Sequence, residues 1–188
     1  MTRCSVCRSA FVKRSMTHKA CSPSCAEILG RKVALEKAEK QKRKEAKVDR
    51  LDTRERKEKL KSKSEVSKEV QVIVNRYVRE RDLKAGYGCI SCGTHSSPRW
   101  DAGHFRSVGS APHLRFDADR NISLQCARCN TFLAGNLLAY KDALPKRIGS
   151  QAFIALLCDN TPKHYTIADL QGIKASFREK LKELKNGR

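Results

Sequence analysis

Residues 89–130 read CISCGTHSSPRWDAGHFRSVGSAPHLRFDADRNISLQCARCN, and this stretch decides how the rest of the chain is understood. It is bounded by two Cys-x-x-Cys knuckles, Cys89/Cys92 and Cys126/Cys129. Four thiolates at that spacing match the tetrahedral preference of a closed structural Zn²⁺ site. The enclosed loop carries Asp101 and His104, and Asn130 follows the last cysteine directly. Around the knuckles the order is a turn, a strand over Arg99–Arg106, a loop, a short segment over Asn121–Gln125 and a helix from Cys129 onward, with a break near Gly135. That is the element order of a ββα-metal module.

Working outward, the N-terminus repeats the cysteine theme with Cys4-x-x-Cys7 and Cys21-x-x-x-Cys25. A module of residues 1–27 cannot bury enough apolar surface to fold alone, so a second zinc is expected to hold it together. Ser22 and Ser24 are available as helix N-caps, with Pro23 suited to a first turn. Eight of the nine cysteines fall in these four pairs. No signal peptide is recognisable at the N-terminus, so paired thiols read as metal ligands in a reducing cytoplasm rather than as disulfides. The remaining cysteine, Cys158, lies in the apolar run AFIALLC and reads as a small core residue.

Between the cysteine modules, residues 28–68 are rich in Ala, Glu, Lys, Arg and Leu, the composition of a long helix. Acid–base pairs at i, i+4, such as Glu36–Lys40 and Glu55–Lys59, support it. Val48, Leu51, Leu60 and Val66 are too sparse for a sustained coiled-coil seam. A solvated helical spacer is the reading, with a weak dimer arm or disorder as alternatives. After Ser67 the apolar spacing tightens through Val70, Ile73, Val74, Tyr77 and Val78 into an amphipathic helix closing near Gly86. Residues 69–144 therefore form the second module. Residues 145–188 supply two further helices, one over Pro145–Cys158 and one opening at the capping signal Thr166–Asp169. The last is expected to bury Ile167, Leu170, Ile173, Phe177, Leu181 and Leu184, with Lys174 among the basic residues of its outer face. The fold class is α+β, mainly helical.

The formal charge of +20 and a pI of about 9.9 imply a polyanionic partner, nucleic acid before an anionic membrane surface. No run is long and apolar enough to span a bilayer. Hydrolysis of a phosphodiester needs a base to deprotonate water and positive charge on the phosphate oxygens. A neutral imidazole suits the first task and a divalent cation the second. Mg²⁺ or Mn²⁺ held by oxygen ligands would need little more than one carboxylate and one amide. Asp101 and Asn130 are of that type, with His104 as the base. Trp100, Phe105 and Phe116 are either stacking platforms for unpaired bases or, more simply, core.

CISC…WDAGHF…NISLQCARCN resembles the zinc-stapled HNH endonucleases, and within them the NinG (Rap) recombination endonucleases of lambdoid phages. The resemblance covers essentially the whole chain and is most specific in DAGHF, LRFDADRN and QCARCN; the motif is also similar to that of phage endonuclease VII. It implies a general base at His104, a loop-tying role for Asn121 and a metal ligand at Asn130. It also implies branched DNA substrates such as Holliday junctions and D-loops. Host recombination proteins as partners and a homodimer that cuts two opposed strands fit the same picture. The sequence departs from the pattern at Gly103, where many relatives carry an acidic or His ligand. Asp101 is the nearest carboxylate, and His113, Asp117 and Asp119 are fallback ligands. The competing readings are a non-catalytic zinc protein that binds DNA or RNA, and a helical scaffold dimerising through residues 30–70.

Overall fold

The computed structural model describes residues 2–187. The chain divides into two compact units, one ending at Leu60 and the other beginning at Lys61.

In the first unit, strands β1 (Thr2–Arg3) and β2 (Ala10–Phe11) form a short antiparallel hairpin. Arg8 turns it with a positive φ of 66°. Helix α1 (Pro23–Lys59) follows, its first turn closed by the Ser22 hydroxyl accepting from the Cys25 N–H. None of its residues is buried. Its surface is laced instead with i, i+4 pairs: Glu27–Arg31, Glu39–Arg43 and Asp52–Arg56, at 2.7, 2.6 and 2.5 Å.

The second unit starts at Ser62, which forms a capping box with Glu65 and launches helix α2 (Lys63–Lys84). The helix thus begins ahead of Ser67, where the apolar spacing tightens, because Ser62 and Glu65 sit inside the charged run and are easily missed there. Val66, Val70, Val74 and Val78 recur at i, i+4 and bury one stripe. That stripe packs with Ala102, Phe116, Ile122, Leu170 and Phe177 into one core cluster. Strands β3 (Trp100–His104) and β4 (Ile122–Cys126) pair antiparallel, Asp101 opposite Gln125 and His104 opposite Ile122. Side chains alternate across a hairpin. Ala102, His104, Ile122 and Leu124 therefore share the face towards that cluster, while Asp101, Gly103, Ser123 and Gln125 share the other.

Helix α3 (Leu137–Ile148) and helix α4 (Ser150–Cys158) enclose a second cluster around Ile90, Leu114, Tyr140, Leu144, Phe153 and Leu156. This corrects the expectation of one helix over Pro145–Cys158. Pro145 lies inside α3, and Gly149, with φ of 87°, separates the two helices. Cys158, expected in the core, is exposed at the end of α4. Helix α5 (Ile167–Asn186) opens at the Thr166–Asp169 capping box and buries Leu170, Phe177 and Leu181. Two details differ from expectation. Ile167 is exposed in the first turn, and Lys174 is buried against the core rather than outward, its ammonium 2.6 Å from Glu69.

One buried charge ties these elements together. Asp82 is 1 % exposed; its carboxylate accepts from the Leu124 N–H at 2.8 Å and from Arg81 Nε at 2.8 Å, with Arg147 at 3.4 Å. The Arg147 guanidinium in turn lies 3.8 Å from the ring centre of Tyr87. The pairing joins α2, β4 and α3 across the sheet.

Candidate functional site

The cysteines gather as their spacing predicts. Cys4, Cys7, Cys21 and Cys25 form one group and Cys89, Cys92, Cys126 and Cys129 another, the four sulfurs of each lying within 4.8 Å of one another. Zn–S bonds of about 2.3 Å place tetrahedral sulfurs about 3.8 Å apart. Cys92–Cys126 and Cys21–Cys25 stand at 3.8 Å. Each group could hold one zinc ion. Knuckle N–H groups aim at the sulfurs: Val6 and Cys21 at Cys4, and Cys129 at Cys126. Such donors favour thiolate, and the Cys4 thiol is lowered to about 6, chiefly by the backbone of Cys7 and Val6. Crowding acts the other way. Cys21 is pushed to about 12 by its neighbouring sulfurs, and Cys129 to about 12 by burial first and its fellow cysteines next. Four thiols cannot all ionise side by side without a cation between them. The second group is also shielded by Trp100.

His104 ends β3, half-buried. Its Nε2 stands 3.1 Å from the Arg115 carbonyl oxygen. A carbonyl only accepts, so Nε2 carries the proton and Nδ1 is left with its lone pair. Burial disfavours the charged ring and lowers its pKa below the ordinary value of 6.5; the Arg115 carbonyl opposes this. A cavity of about 670 Å³ is lined by His104, Arg106, Asn130, Leu137 and Lys141, among others. Asn121, fully buried, fastens the loop before it. Its Oδ1 accepts from the Arg106 N–H at 2.8 Å, and its Nδ2 donates to the carbonyls of Arg106 and Leu114. The loop is thus held at both ends by one amide.

Asp101 and Asn130 meet: the Asn130 amide donates to the Asp101 carboxylate at 3.1 Å. Asn130 is placed by a wide helical turn, Arg128–Phe132, closed by the Leu133 N–H to the Arg128 carbonyl. The Asp101 carboxylate also takes both arms of the Arg99 guanidinium at 3.1 Å. Being three residues apart on one strand, Asp101 and His104 point to opposite faces, and Asn130 is the residue that connects the cavity to Asp101.

The fallback ligands are occupied elsewhere. His113 Nε2 lies 2.8 Å from the Asp159 carbonyl, Asp117 pairs with Arg120 at 2.7 Å, and Asp119 faces Arg81 at 3.8 Å. Phe116 is core, and Phe105 packs on Tyr140 and Phe153. Sequence reasoning overlooked Gln125. It is fully buried opposite Asp101, and its Nε2 donates to the Gly135 carbonyl and the Ser91 hydroxyl, both at 2.7 Å. Its Oε1 has no hydrogen-bond partner, the only such buried side-chain atom among the described residues. The signal was available: a glutamine in the short strand ISLQC alternates onto the face of Asp101.

Among the described residues no helix is long and apolar enough to cross a membrane. The molecule is a basic, mainly helical protein with two tetra-cysteine clusters and a cavity lined in part by His104 and Asn130. Comparison with known proteins adds the family. A sequence profile described as Bacteriophage Lambda NinG protein matches residues 1–187. The chain is 39 % identical over 195 residues to Protein ninG of Escherichia phage lambda, covering 97 % of this chain and 91 % of that one. Protein ninG of Salmonella phage P22 is equally close, at 39 % with 97 % and 92 % covered, and that of Escherichia phage 933W is 37 % identical with 99 % and 94 % covered. The chain belongs to the NinG family of lambdoid phages. No solved structure matches it at a significant level.

Proposed function

We propose that this chain is a metal-dependent DNA endonuclease of the HNH, ββα-metal class. It hydrolyses phosphodiester bonds in branched recombination intermediates such as Holliday junctions and D-loops, in the host cytoplasm. The observation that carries the reading is the placement of His104, a residue lining an open cavity, with Nε2 committed to the Arg115 carbonyl and the Nδ1 lone pair left to accept a proton. That is the arrangement a general base for water requires. Asn121 acts by fixing the loop that carries the ring's far side. Zinc in each cysteine group has a structural part, and in the second group it staples the end of β4 to the turn that bears Asn130.

The donor set also suits a hard divalent ion, Mg²⁺ or Mn²⁺. Ligands at about 2.1 Å in an octahedron stand about 3 Å apart, and the Asn130 amide already lies 3.1 Å from the Asp101 carboxylate. Rotating that amide by half a turn exchanges its donor for its oxygen and yields two oxygens at ligand spacing. Such a cation would supply the positive charge that phosphodiester cleavage needs on the phosphate oxygens. Net charge of +20 supplies sequence-independent attraction to the backbone. A homodimer would present two such sites to opposed strands, and host recombination proteins would deliver the branched DNA.

The test compares wild type with His104→Ala on a labelled four-way junction and a matched linear duplex, with Mg²⁺ and with EDTA. The expected result is Mg²⁺-dependent nicking of the junction, lost by at least about a hundredfold in a folded, zinc-loaded variant that still binds DNA. Because burial lowers the His104 pKa, the acid limb of the rate should fall below pH 6.5. Junction binding without cleavage by any divalent metal would leave a zinc-stapled DNA-binding protein in place of an enzyme.

A further inference from the structure

Gly103 and Gln125 are diagonal neighbours across the hairpin, and nothing in the proposed function explains how closely they approach. A Cβ built on Gly103 would lie 1.7 Å from Gln125 Oε1 and 2.5 Å from its Cδ. The first of these is close to a carbon–carbon bond of about 1.5 Å. The amide oxygen of Gln125 therefore occupies the space that a short side chain at 103 would take. It is there by construction, since Nε2 is committed to the Gly135 carbonyl and the Ser91 hydroxyl. Gly135 can only accept at its carbonyl, so the amide cannot turn over without setting oxygen against oxygen. Oε1 is left fully buried and without a hydrogen-bond partner. Leaving such a group unsatisfied is costly, and an orphan of this kind calls for a cause, an ion among them.

Its surroundings narrow the cause. Asp101 is directly opposite Gln125 in the pairing, so their side chains share one face of the sheet. The turn that accepts the Gln125 amide at Gly135 is the turn that holds Asn130, joined by the Gly135 N–H to the Asn130 carbonyl at 3.2 Å. The Asn130 side chain reaches back to Asp101. One face of the sheet and the turn bonded to it thus carry a carboxylate, a side-chain amide and an orphaned amide oxygen, each able to offer a hard oxygen donor.

We propose that Gln125 is a third protein ligand for the divalent cation at Asp101 and Asn130, its oxygen replacing from β4 the ligand that Gly103 cannot offer from β3. The proposal rests on the metal-dependent reading above, but it concerns metal binding and is tested without cleavage. Gly103 and Gln125 are then a matched pair: the glycine opens the space and the glutamine fills it with oxygen.

The experiment is titration of Mn²⁺ into the zinc-loaded full-length protein, followed by electron paramagnetic resonance of free Mn²⁺. Mn²⁺ is a poor competitor for the thiolate sites. Zinc content and thermal unfolding are recorded for every variant. Gln125→Ala should weaken Mn²⁺ binding at least tenfold, and Asp101→Asn more. The deciding variant is the double Gln125→Ala with Gly103→Asp, which returns a carboxylate to β3 and should restore most of the lost affinity. A packing role for Gln125 predicts no such rescue. Mn²⁺ affinity unchanged in Gln125→Ala, unrescued affinity in a folded double variant, or no Mn²⁺ binding by wild type would each overturn the proposal. Gln125-dependent Mn²⁺ binding in a protein that cuts no DNA would sink the nuclease reading and leave this ligand in place.

Discussion

Helices α1 and α2 are both long and both crowded with charge, yet one buries no residue and the other is the wall of a core. Helix α1 runs for 37 residues without burying any of them. Helix α2, at 22 residues, buries Val66, Val70, Val74, Val78 and Asp82. Composition does not separate them. What differs is placement: four valines at successive i, i+4 positions make a stripe, whereas Val48 and Leu51 of the first unit make one isolated i, i+3 pair that, like Leu60, stays exposed. Helical stability in α1 must come from propensity and local ion pairs, and in α2 from tertiary burial. The two units should therefore answer perturbation differently.

Loss of a metal ligand should divide them most. Apparent binding of structural zinc is worth about 10–16 kcal/mol in small metal-folded modules, all of it folding free energy. The first cysteine group has only the two-residue strands β1 and β2 and the first turn of α1 around it, so Cys4→Ser should unfold residues 2–27 and leave the core of the second unit intact. Cys129→Ser removes a buried ligand that fixes the end of β4 and the turn bearing Asn130. It should lower the main thermal transition outright. Circular dichroism melts with zinc quantitation read both, and a common loss of the main transition would break the comparison.

The second contrast is between buried and exposed ion pairs. Asp82→Ala leaves Arg81, Arg147 and the Leu124 N–H facing an empty place, and removing one partner of a buried pair costs about 3–5 kcal/mol. The urea midpoint of the second unit should fall accordingly. Glu39→Gln breaks the Glu39–Arg43 pair of α1, whose side chains are 64 % and 79 % exposed. No shift in the main transition is expected there, since solvent screens such pairs.

How far the sequence could be read follows the same division. Local signals carried: both cysteine groups, the valine stripe and the Thr166 capping box are written in spacing alone. Signals that depend on a partner did not. Lys174 sits on a basic helix, and only the presence of Glu69 on α2 explains its burial. Cys158 belongs to an apolar run, but α4 ends there with no element to cover it. The Pro145 boundary misled because proline is tolerated inside α3, near its end, while Gly149 makes the true break. At the candidate site, Asp101, His104 and Asn130 are singled out by their place between and beside the knuckles, and Asn121 by the resemblance to the HNH motif. Gln125 is not, because its meaning comes from the missing side chain of Gly103 on the opposite strand.

Two glycines sharpen the comparison at its smallest scale. At Gly103, alanine would place its Cβ 1.7 Å from Gln125 Oε1, and the amide held by Gly135 and Ser91 has nowhere to retreat. Overpacking of this kind costs about 1–3 kcal/mol, and denaturant melts of Gly103→Ala should show that loss in the second unit. At Gly30, within α1, nothing lies within 4 Å of the same added atom. Alanine there meets only solvent, and it removes the backbone freedom that makes glycine a poor helix former by about 0.8–1.0 kcal/mol. Gly30→Ala should therefore raise amide protection around the first turns of α1 in hydrogen exchange, with no change in the main melt. The same substitution then carries opposite signs in the two units, because one position is decided by packing and the other by the chain's own entropy. A destabilised α1 in Gly30→Ala would mean that this face of the helix is covered in solution, against the exposure that distinguishes it from α2.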